Sequence, residues 1–323
     1  CLVVCGFVFI LGLIRGNELL HMFMTAVSLA VAAIPEGLPA IVTIVLAIGM
    51  QRMVKRNSII KKLHAVETLG STTVICSDKT GTLTQNQMTI TRIYTNEKTY
   101  TVTGEGYKPI GEFFLNETKV DPNEDPHLRL LLTIGTLCND SKLEESGSAG
   151  QNEKTWRIIG DPTEGAIVVA ASKAGIWNDE ITKQLPRLQE IPFDSDRKRM
   201  TTFHNDADGK YVAYIKGAPD VMLSLSSKIF KAGKEVTLTE EDRNNILSAN
   251  HEMATQALRV LALAYRKVDE IPHEPKPEDI EKDMTFVGLV GMIDPARPEV
   301  KAAIETCKKA GIRPVMITGD YKD

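Results

Sequence analysis

Two prolines and a glycine inside an otherwise unbroken apolar run set the strongest limit on what the start of this chain can become. Residues 22–50, MFMTAVSLAVAAIPEGLPAIVTIVLAIGM, are interrupted only at Pro35-Glu36-Gly37-Leu38-Pro39. As one continuous helix this stretch would extend ~43 Å, more than the ~30 Å hydrocarbon core of a bilayer. Proline lacks an N–H and clashes with the preceding turn, so the helix is expected to unwind locally. Residues 1–14, CLVVCGFVFILGLI, are also uncharged. They reach only ~21 Å as a helix and read as the end of a transmembrane helix. A signal peptide is the weaker reading, because the segment lacks a basic start and an A-x-A-like cleavage site.

Charge divides the chain at the same place. Only Arg15, Glu18 and Glu36 are charged in the first fifty residues, out of 38 basic and 42 acidic side chains in all. The flank QRMVKRNSIIKK brings Arg52, Lys55, Arg56, Lys61 and Lys62. By the positive-inside rule residues 51–323 are then cytoplasmic, residues 15–21 a short extracytoplasmic loop, and residues 22–56 a broken transmembrane helix with a stalk. The protein would be a multi-pass one with the lipid bilayer as a partner. A carboxylate near mid-membrane costs several kcal/mol unless it faces a polar cavity or a cation. Glu36 therefore reads as a cation ligand. The carbonyls of Val31, Ala32 and Ile34, freed by the prolines, would join it in an oxygen set suited to a hard cation. A buried kinked helix carrying one protonated Glu is the plainer alternative.

The remaining composition is that of a globular protein of about two domains. A net charge of −4 offers no positive field, which argues against a nucleic-acid partner. Five scattered cysteines without a CxxC argue against zinc or a disulfide framework.

Residues 57–71 look amphipathic, with Leu63, Val66 and Leu69 at helical spacing and Gly70 as the stop. The β-prone run TTVICS then delivers Asp78-Lys79-Thr80-Gly81-Thr82-Leu83-Thr84. A carboxylate at the carboxyl end of a parallel strand lies where open α/β sheets bind ligands, and the Gly and Thr that follow can offer N–H groups and hydroxyls to phosphoryl oxygens. No GxxxxGK[ST] occurs, so phosphate would be held by a nucleophilic Asp and its loop. A second such element closes the chain: a helix over 298–310, from Pro298 to the stop at Gly311, a strand at Val315–Ile317, then Thr318-Gly319-Asp320. The two elements suggest one doubly wound sheet split by roughly 200 residues, with Asp294-Pro295-Ala296-Arg297 stiffening the return point.

Within the insertion, Thr99–Asp125 reads as strands and loops, Leu128–Leu137 as helix and Ser141–Lys154 as a polar exposed loop. Asp161 is placed to cap a helix that has Pro162 at its first position. Phe193 beside Asp194-Ser195-Asp196-Arg197-Lys198 could stack on adenine while the cations meet phosphates. A strand over Tyr211–Ile215 leads to Lys216-Gly217-Ala218-Pro219, where small residues would let a flat base approach the backbone. By composition alone Phe193 reads as a core ring rather than an adenine platform, and Lys216 and Arg259 could be ordinary strand-edge charges.

DKTGTLT resembles the phosphorylation motif of the P-type cation-transporting ATPases. IPEGLP, KGAPD, DPAR and TGD fit the same family, and AAIPEGLP is most similar to the calcium pumps. The resemblance runs the length of the sequence, which reads as a fragment. It implies an α/β fold: a truncated Rossmann-like, haloacid-dehalogenase-type phosphorylation domain at 57–89 and 292–323, an α+β nucleotide-binding insertion at 90–291, and preceding transmembrane helices. It implies ATP, Mg²⁺ and a transported cation, with Ca²⁺ favoured over Mn²⁺ or Na⁺/K⁺. Asp78 would be the phosphorylated residue in the Asp78-Lys79-Thr80 motif. Asp78 and the Thr80 carbonyl would hold Mg²⁺, with Thr318, Gly319 and Asp320 on the phosphoryl group and the nucleotide. Glu164, Phe193, Lys198, Lys216, Gly217, Arg259, Asp294 and Arg297 would form the nucleotide side. Pumps of the animal reticulum type carry Arg where this chain has Ser195, and Arg197 would substitute only in a differently shaped loop. The helical stretch from Pro39 through Lys62 would link ion occupancy to Asp78. The rest of the pump, an actuator segment and later membrane helices, would be the partner of this piece. A membrane-anchored phosphatase or phosphomutase is the competing reading, but it usually has a second acid two places after the nucleophile, where Thr80 stands. A plain ATP-binding module would leave Asp78 and Glu36 unused.

Overall fold

The computed structural model describes residues 2–35, 37–146, 155–206 and 209–318. The chain begins with α1 (Leu2–Ile14), α2 (Leu19–Ala32), α3 (Leu38–Val54), α4 (His64–Gly70) and β1 (Val74–Asp78). Next come β2 (Thr89–Thr95), β3 (Lys98–Val102), β4 (Phe113–Leu115), β5 (Thr118–Val120) and α5 (Pro126–Leu137). The middle holds β6 (Lys142–Ser146), β7 (Thr155–Ile159), α6 (Pro162–Lys173), α7 (Asn178–Gln184), β8 (Gln189–Asp194), β9 (Arg199–Asn205) and β10 (Tyr211–Gly217). It continues through α8 (Pro219–Ser224), β11 (Ser226–Lys231), β12 (Lys234–Thr237), α9 (Glu240–Thr255) and β13 (Arg259–Val268). Last are α10 (Pro277–Ile280), β14 (Met284–Ile293), α11 (Val300–Lys309) and β15 (Arg313–Ile317). Two compact units result, Cys1–Ile75 with Thr306–Val315, and Cys76–Glu305 with Met316–Asp323.

In the first unit the apolar run divides where the prolines require. Helix α2 stops at Ala32 and α3 starts at Leu38, with Pro39 in its first turn. Among the described residues no helix is long and apolar enough to cross a membrane. The break expected within 22–56 falls between α2 and α3, and the pieces have 14 and 17 residues, ~21 and ~26 Å long. The expected set of freed carbonyls is corrected at Val31, whose oxygen accepts the Ile34 N–H at 3.1 Å. The last turn tightens to i→i+3 bonding, the usual way a helix end satisfies its carbonyls. Glu36 lies outside the described residues.

Nor does helix continue from Pro39 to Lys62. Asn57 takes φ 60°, and the Ser58 N–H returns to the Met53 carbonyl at 3.0 Å, a left-handed cap that ends α3. The amphipathic stretch becomes helical only at His64. Strands β1 and β15 form a two-stranded sheet, and the Arg313 N–H donates to the Thr73 carbonyl at 2.8 Å. Helix α11 and β15 lie where sequence places them, separated by Gly311.

The second unit is built on an eleven-stranded sheet in the order β5-β4-β3-β2-β14-β13-β10-β9-β8, with β11 and β12 attached through β14. Alternation along the strands feeds two cores. Val212, Tyr214 and Leu263 pack with Leu128, Leu131, Ile167 and Ala170 of α5 and α6. Ala213, Ile215 and Ala264 pack with Met222, Ile246 and Met253 of α8 and α9. Strands β2 and β14 are antiparallel, with Thr89 opposite Ile293.

One expected loop is corrected. Lys142–Ser146 pairs with Thr155–Ile159 as a hairpin, Glu144 facing Arg157 across the strands with a 3.0 Å ion pair. Opposite charges directly across an antiparallel pair favour the ladder despite the polar composition. The rest of that expected loop, 147–154, lies outside the described residues.

Candidate active site

Asp78 is the last residue of β1, and Lys79–Leu83 turns sharply after it. Gly81 has φ +73°, and an added Cβ would meet only Asn86 Cβ at an ordinary 3.7 Å, so its freedom at positive φ, not lack of room, selects glycine there. The turn is fastened by the segment 210 residues later. The Thr84 hydroxyl donates to Asp294 Oδ2 at 2.5 Å, and the Gln87 N–H donates to Asp294 Oδ1 at 3.0 Å. The Gln85 N–H donates to the Pro295 carbonyl at 3.0 Å, and the Arg297 N–H to that of Leu83 at 2.9 Å. Arg297 Nη2 reaches the Gly81 carbonyl at 3.0 Å. Asp294 and Arg297 are thus engaged with the loop after Asp78. They form the stiffened return point expected from the sequence, and the contacts they make are to chain, where the resemblance put nucleotide. Thr318 directly follows β15, the partner of β1. Gly319 and Asp320 lie outside the described residues.

The proposed nucleotide residues gather at one end of the large sheet. Asp161 caps α6, its carboxylate accepting the Thr163 N–H at 2.7 Å and the Glu164 N–H at 3.3 Å. The cap fixes the first turn, from which Glu164 forms an ion pair with Lys216 of β10. Glu164 also accepts the Asp140 N–H at 3.0 Å. The pair is nearly closed to water, with side-chain exposures of 7% for Lys216 and 15% for Glu164. Lys216 is no strand-edge charge, since β10 lies between β9 and β13. Arg259, first residue of β13, donates to the Thr163 hydroxyl at 3.1 Å.

Phe193 is 64% exposed, so it is not a core ring. Strand β8 is the last in the sheet, which leaves a ring on it uncovered. The turn after it is tightly drawn. Asp194 accepts N–H groups from Arg197 at 2.9 Å and Asp196 at 3.0 Å, which together hold its carboxyl below the usual range. The Lys198 N–H donates to the Asp194 carbonyl at 2.7 Å, and Lys198 takes φ 55°. Its own carbonyl accepts the Ala218 N–H at 3.0 Å, joining the Phe193 turn to the Lys216-Gly217 turn. Arg197, the cation two places after Ser195, is engaged with an acid of the chain itself. Its Nη1 lies 2.6 and 2.7 Å from the two oxygens of Glu281.

Gly217 has a cause beyond approach of a base. A Cβ there would lie 2.6 Å from Arg199 Cβ and 2.7 Å from the Lys198 carbonyl oxygen. Gly217→Ala is expected to push β9 from β10 and cost about 1–3 kcal/mol, read as a lower thermal midpoint. Thr163 and Glu281 were missed by sequence reasoning, and Thr84, read there as a phosphate-facing hydroxyl, donates to Asp294. The cap signal at Asp161-Pro162 pointed to Thr163, while nothing local marks Glu281.

An exposed aromatic, a nearly buried Lys–Glu pair and a second cation thus lie together at one end of the sheet of a two-faced α/β domain. The family model described as P-type ATPase, cytoplasmic domain N, matches residues 127–299, more than half of the chain. The chain belongs to that family. It is 47% identical over 310 residues to a calcium-transporting ATPase of Bacillus subtilis, covering 96% of this chain and 34% of the relative. It is 48% identical over 322 residues to the cation-transporting ATPase pma1 of Synechocystis, covering 98% and 34%. A calcium-transporting ATPase 1 of Bacillus cereus is 48% identical over 324 residues, 99% of this chain and 33% of the relative. The chain spans about a third of the length of these curated relatives.

Proposed function

We propose that this chain is the catalytic and nucleotide-binding part of an ATP-driven cation pump, and that Ca²⁺ is the transported ion. The observation that carries this reading is continuous within the second unit. Glu164, Phe193, Lys198, Lys216 and Arg259 occupy one end of a sheet whose strand β14 runs into Asp294, and Asp294 clamps the loop after Asp78. ATP would stack its base on Phe193, with Lys198, Lys216 and Arg259 facing its polar parts. The Asp78 carboxylate would attack the γ-phosphorus in line, forming the O–P bond of an aspartyl phosphate as the bond to ADP breaks. Mg²⁺, taking Asp78 and the Thr80 carbonyl with phosphate oxygens and water, would supply charge neutralisation; that oxygen donor set suits it. Thr318, Gly319 and Asp320 would hold the phosphoryl group and the nucleotide. Residues 57–89 and 292–323 would then be the two parts of a Rossmann-like phosphorylation domain, and 90–291 the nucleotide-binding domain.

Membrane insertion of residues 1–14 and 22–56 belongs to the same reading. Leu2, Phe7 and Ile14 of α1, and Ile41, Ile44 and Val45 of α3, are exposed, which an apolar surrounding would accommodate. Glu36, with the carbonyls of Ala32, Ile34 and the remaining lone pair of Val31, would form part of the cation site. The complete protein is expected to hydrolyse ATP faster with Ca²⁺ than with Mn²⁺ or Na⁺. Equal rates in all three, or none, would remove the transport reading. Phe193→Ala is expected to weaken ATP binding roughly 5- to 150-fold, the loss of ~1–3 kcal/mol of stacking. The exposed ring should leave the thermal midpoint unchanged. Calorimetric titration with ATP checks both parts.

A further inference from the structure

The most deeply placed acid near the nucleotide end belongs to none of the motifs. Glu281 follows α10, and its side chain has no solvent exposure. Two guanidinium groups and a hydroxyl converge on it. Arg197 Nη1 contacts both oxygens at 2.6 and 2.7 Å, Arg199 Nε lies 2.6 Å from Oε2, and the Thr201 hydroxyl donates to Oε1 at 2.8 Å. A buried carboxylate with that many charge-assisted donors fixes the planes of both guanidinium groups.

Those planes hold the Phe193 turn. Arg197 Nη2 donates to the Pro192 carbonyl at 2.6 Å, and Arg199 Nη1 to the Arg197 carbonyl at 2.8 Å. The two backbone oxygens bracket Phe193, one just before it and one four residues after. The turn so held presents Lys198, whose carbonyl fastens Ala218 beside Lys216-Gly217. Phe193 itself is largely uncovered, so packing alone does little to fix its backbone.

We infer that Glu281 is a positioning residue for nucleotide: through Arg197 and Arg199 it presets the Phe193–Lys198 turn for a purine nucleotide. The inference rests on the ATP reading given above. A turn already held in its bound shape loses less entropy on binding, so affinity falls when the hold is released. Glu281 acts at a distance in sequence, 84 residues from Arg197.

The test uses the full chain in detergent, titrated with ATP by calorimetry at a temperature where circular dichroism shows every variant folded. Wild type is expected to bind, and Glu281→Gln to raise Kd at least tenfold. In a Phe193→Ala background the same substitution is expected to raise Kd less than threefold, because the ring it positions is gone. Hydrogen exchange across residues 194–199 should quicken in Glu281→Gln. A folded Glu281→Gln protein with Kd within twofold of wild type would overturn the inference, as would equal effects in the two backgrounds. Should Glu281→Gln not fold, Arg197→Gln decides by the same criteria, since it leaves Arg199 and Thr201 on Glu281. Wild type that fails to bind millimolar ATP overturns the ATP reading itself, a result distinct from the other two.

Discussion

Asp78→Asn in the complete protein is expected to abolish acid-stable, hydroxylamine-sensitive labelling by γ-³²P-ATP. The substitution keeps the shape of the side chain and removes its nucleophilic charge. Loss of a nucleophile costs enzymes on the order of 10⁴-fold or more in rate, enough to take labelling below detection. Structure should survive the change. Asp78 is exposed at the end of β1 and makes no capping hydrogen bond to the turn that follows. The turn is held instead by Gly81, Thr84 and the Asp294 clamp, none of which is altered. ATP affinity should therefore remain near wild type while phosphoenzyme disappears. Labelling that persists in Asp78→Asn would move the nucleophile elsewhere and overturn the proposed chemistry.

The second large effect is expected at Lys216. Lys216→Met leaves Glu164 nearly buried with the Asp140 N–H as its remaining donor among the described residues. Breaking one side of a buried pair typically costs about 3 kcal/mol or more. For a unit of this size that corresponds to a drop of about 6–12 °C in Tm. Adding Glu164→Gln should recover much of the stability, because no unpaired charge is then left inside. It should not recover nucleotide binding, since the cation proposed to face ATP is still missing. Thermal melts and ATP titrations of the two single variants and the double variant separate these outcomes. Parallel recovery of both properties would reduce Lys216 to a structural partner of Glu164.

Features of the fold set by neighbours in sequence were legible, and features set across the sheet were not. Asp161-Pro162 announced the start of α6, and Pro298 and Gly311 bracketed α11, because caps and stops are local chemistry. The proline interruption divided α2 from α3 for the same reason. The end of α3 at Asn57 escaped notice because a non-glycine residue rarely takes positive φ. Strand β6 escaped because its stabilising charge pair comes from Arg157, thirteen residues on. At the candidate site, Phe193 was ambiguous until β8 proved to be the outermost strand. The Glu281 network joins residues eighty or more apart, so no window along the chain could reveal it.

The pairing of β2 with β14 carries a consequence for how such a protein is assembled. Thr89, where the chain enters the large sheet, faces Ile293, where it leaves. Directly paired antiparallel residues stand about 5 Å apart at Cα. A two-hundred-residue excursion thus begins and ends within one rung of a ladder, and a few residues would suffice to bridge the gap. Such a module can be cut out, circularly permuted or exchanged for another without prising open the loop it interrupts. Expressed alone from Thr89 to Ile293, it would carry both hydrophobic cores and both termini on one face.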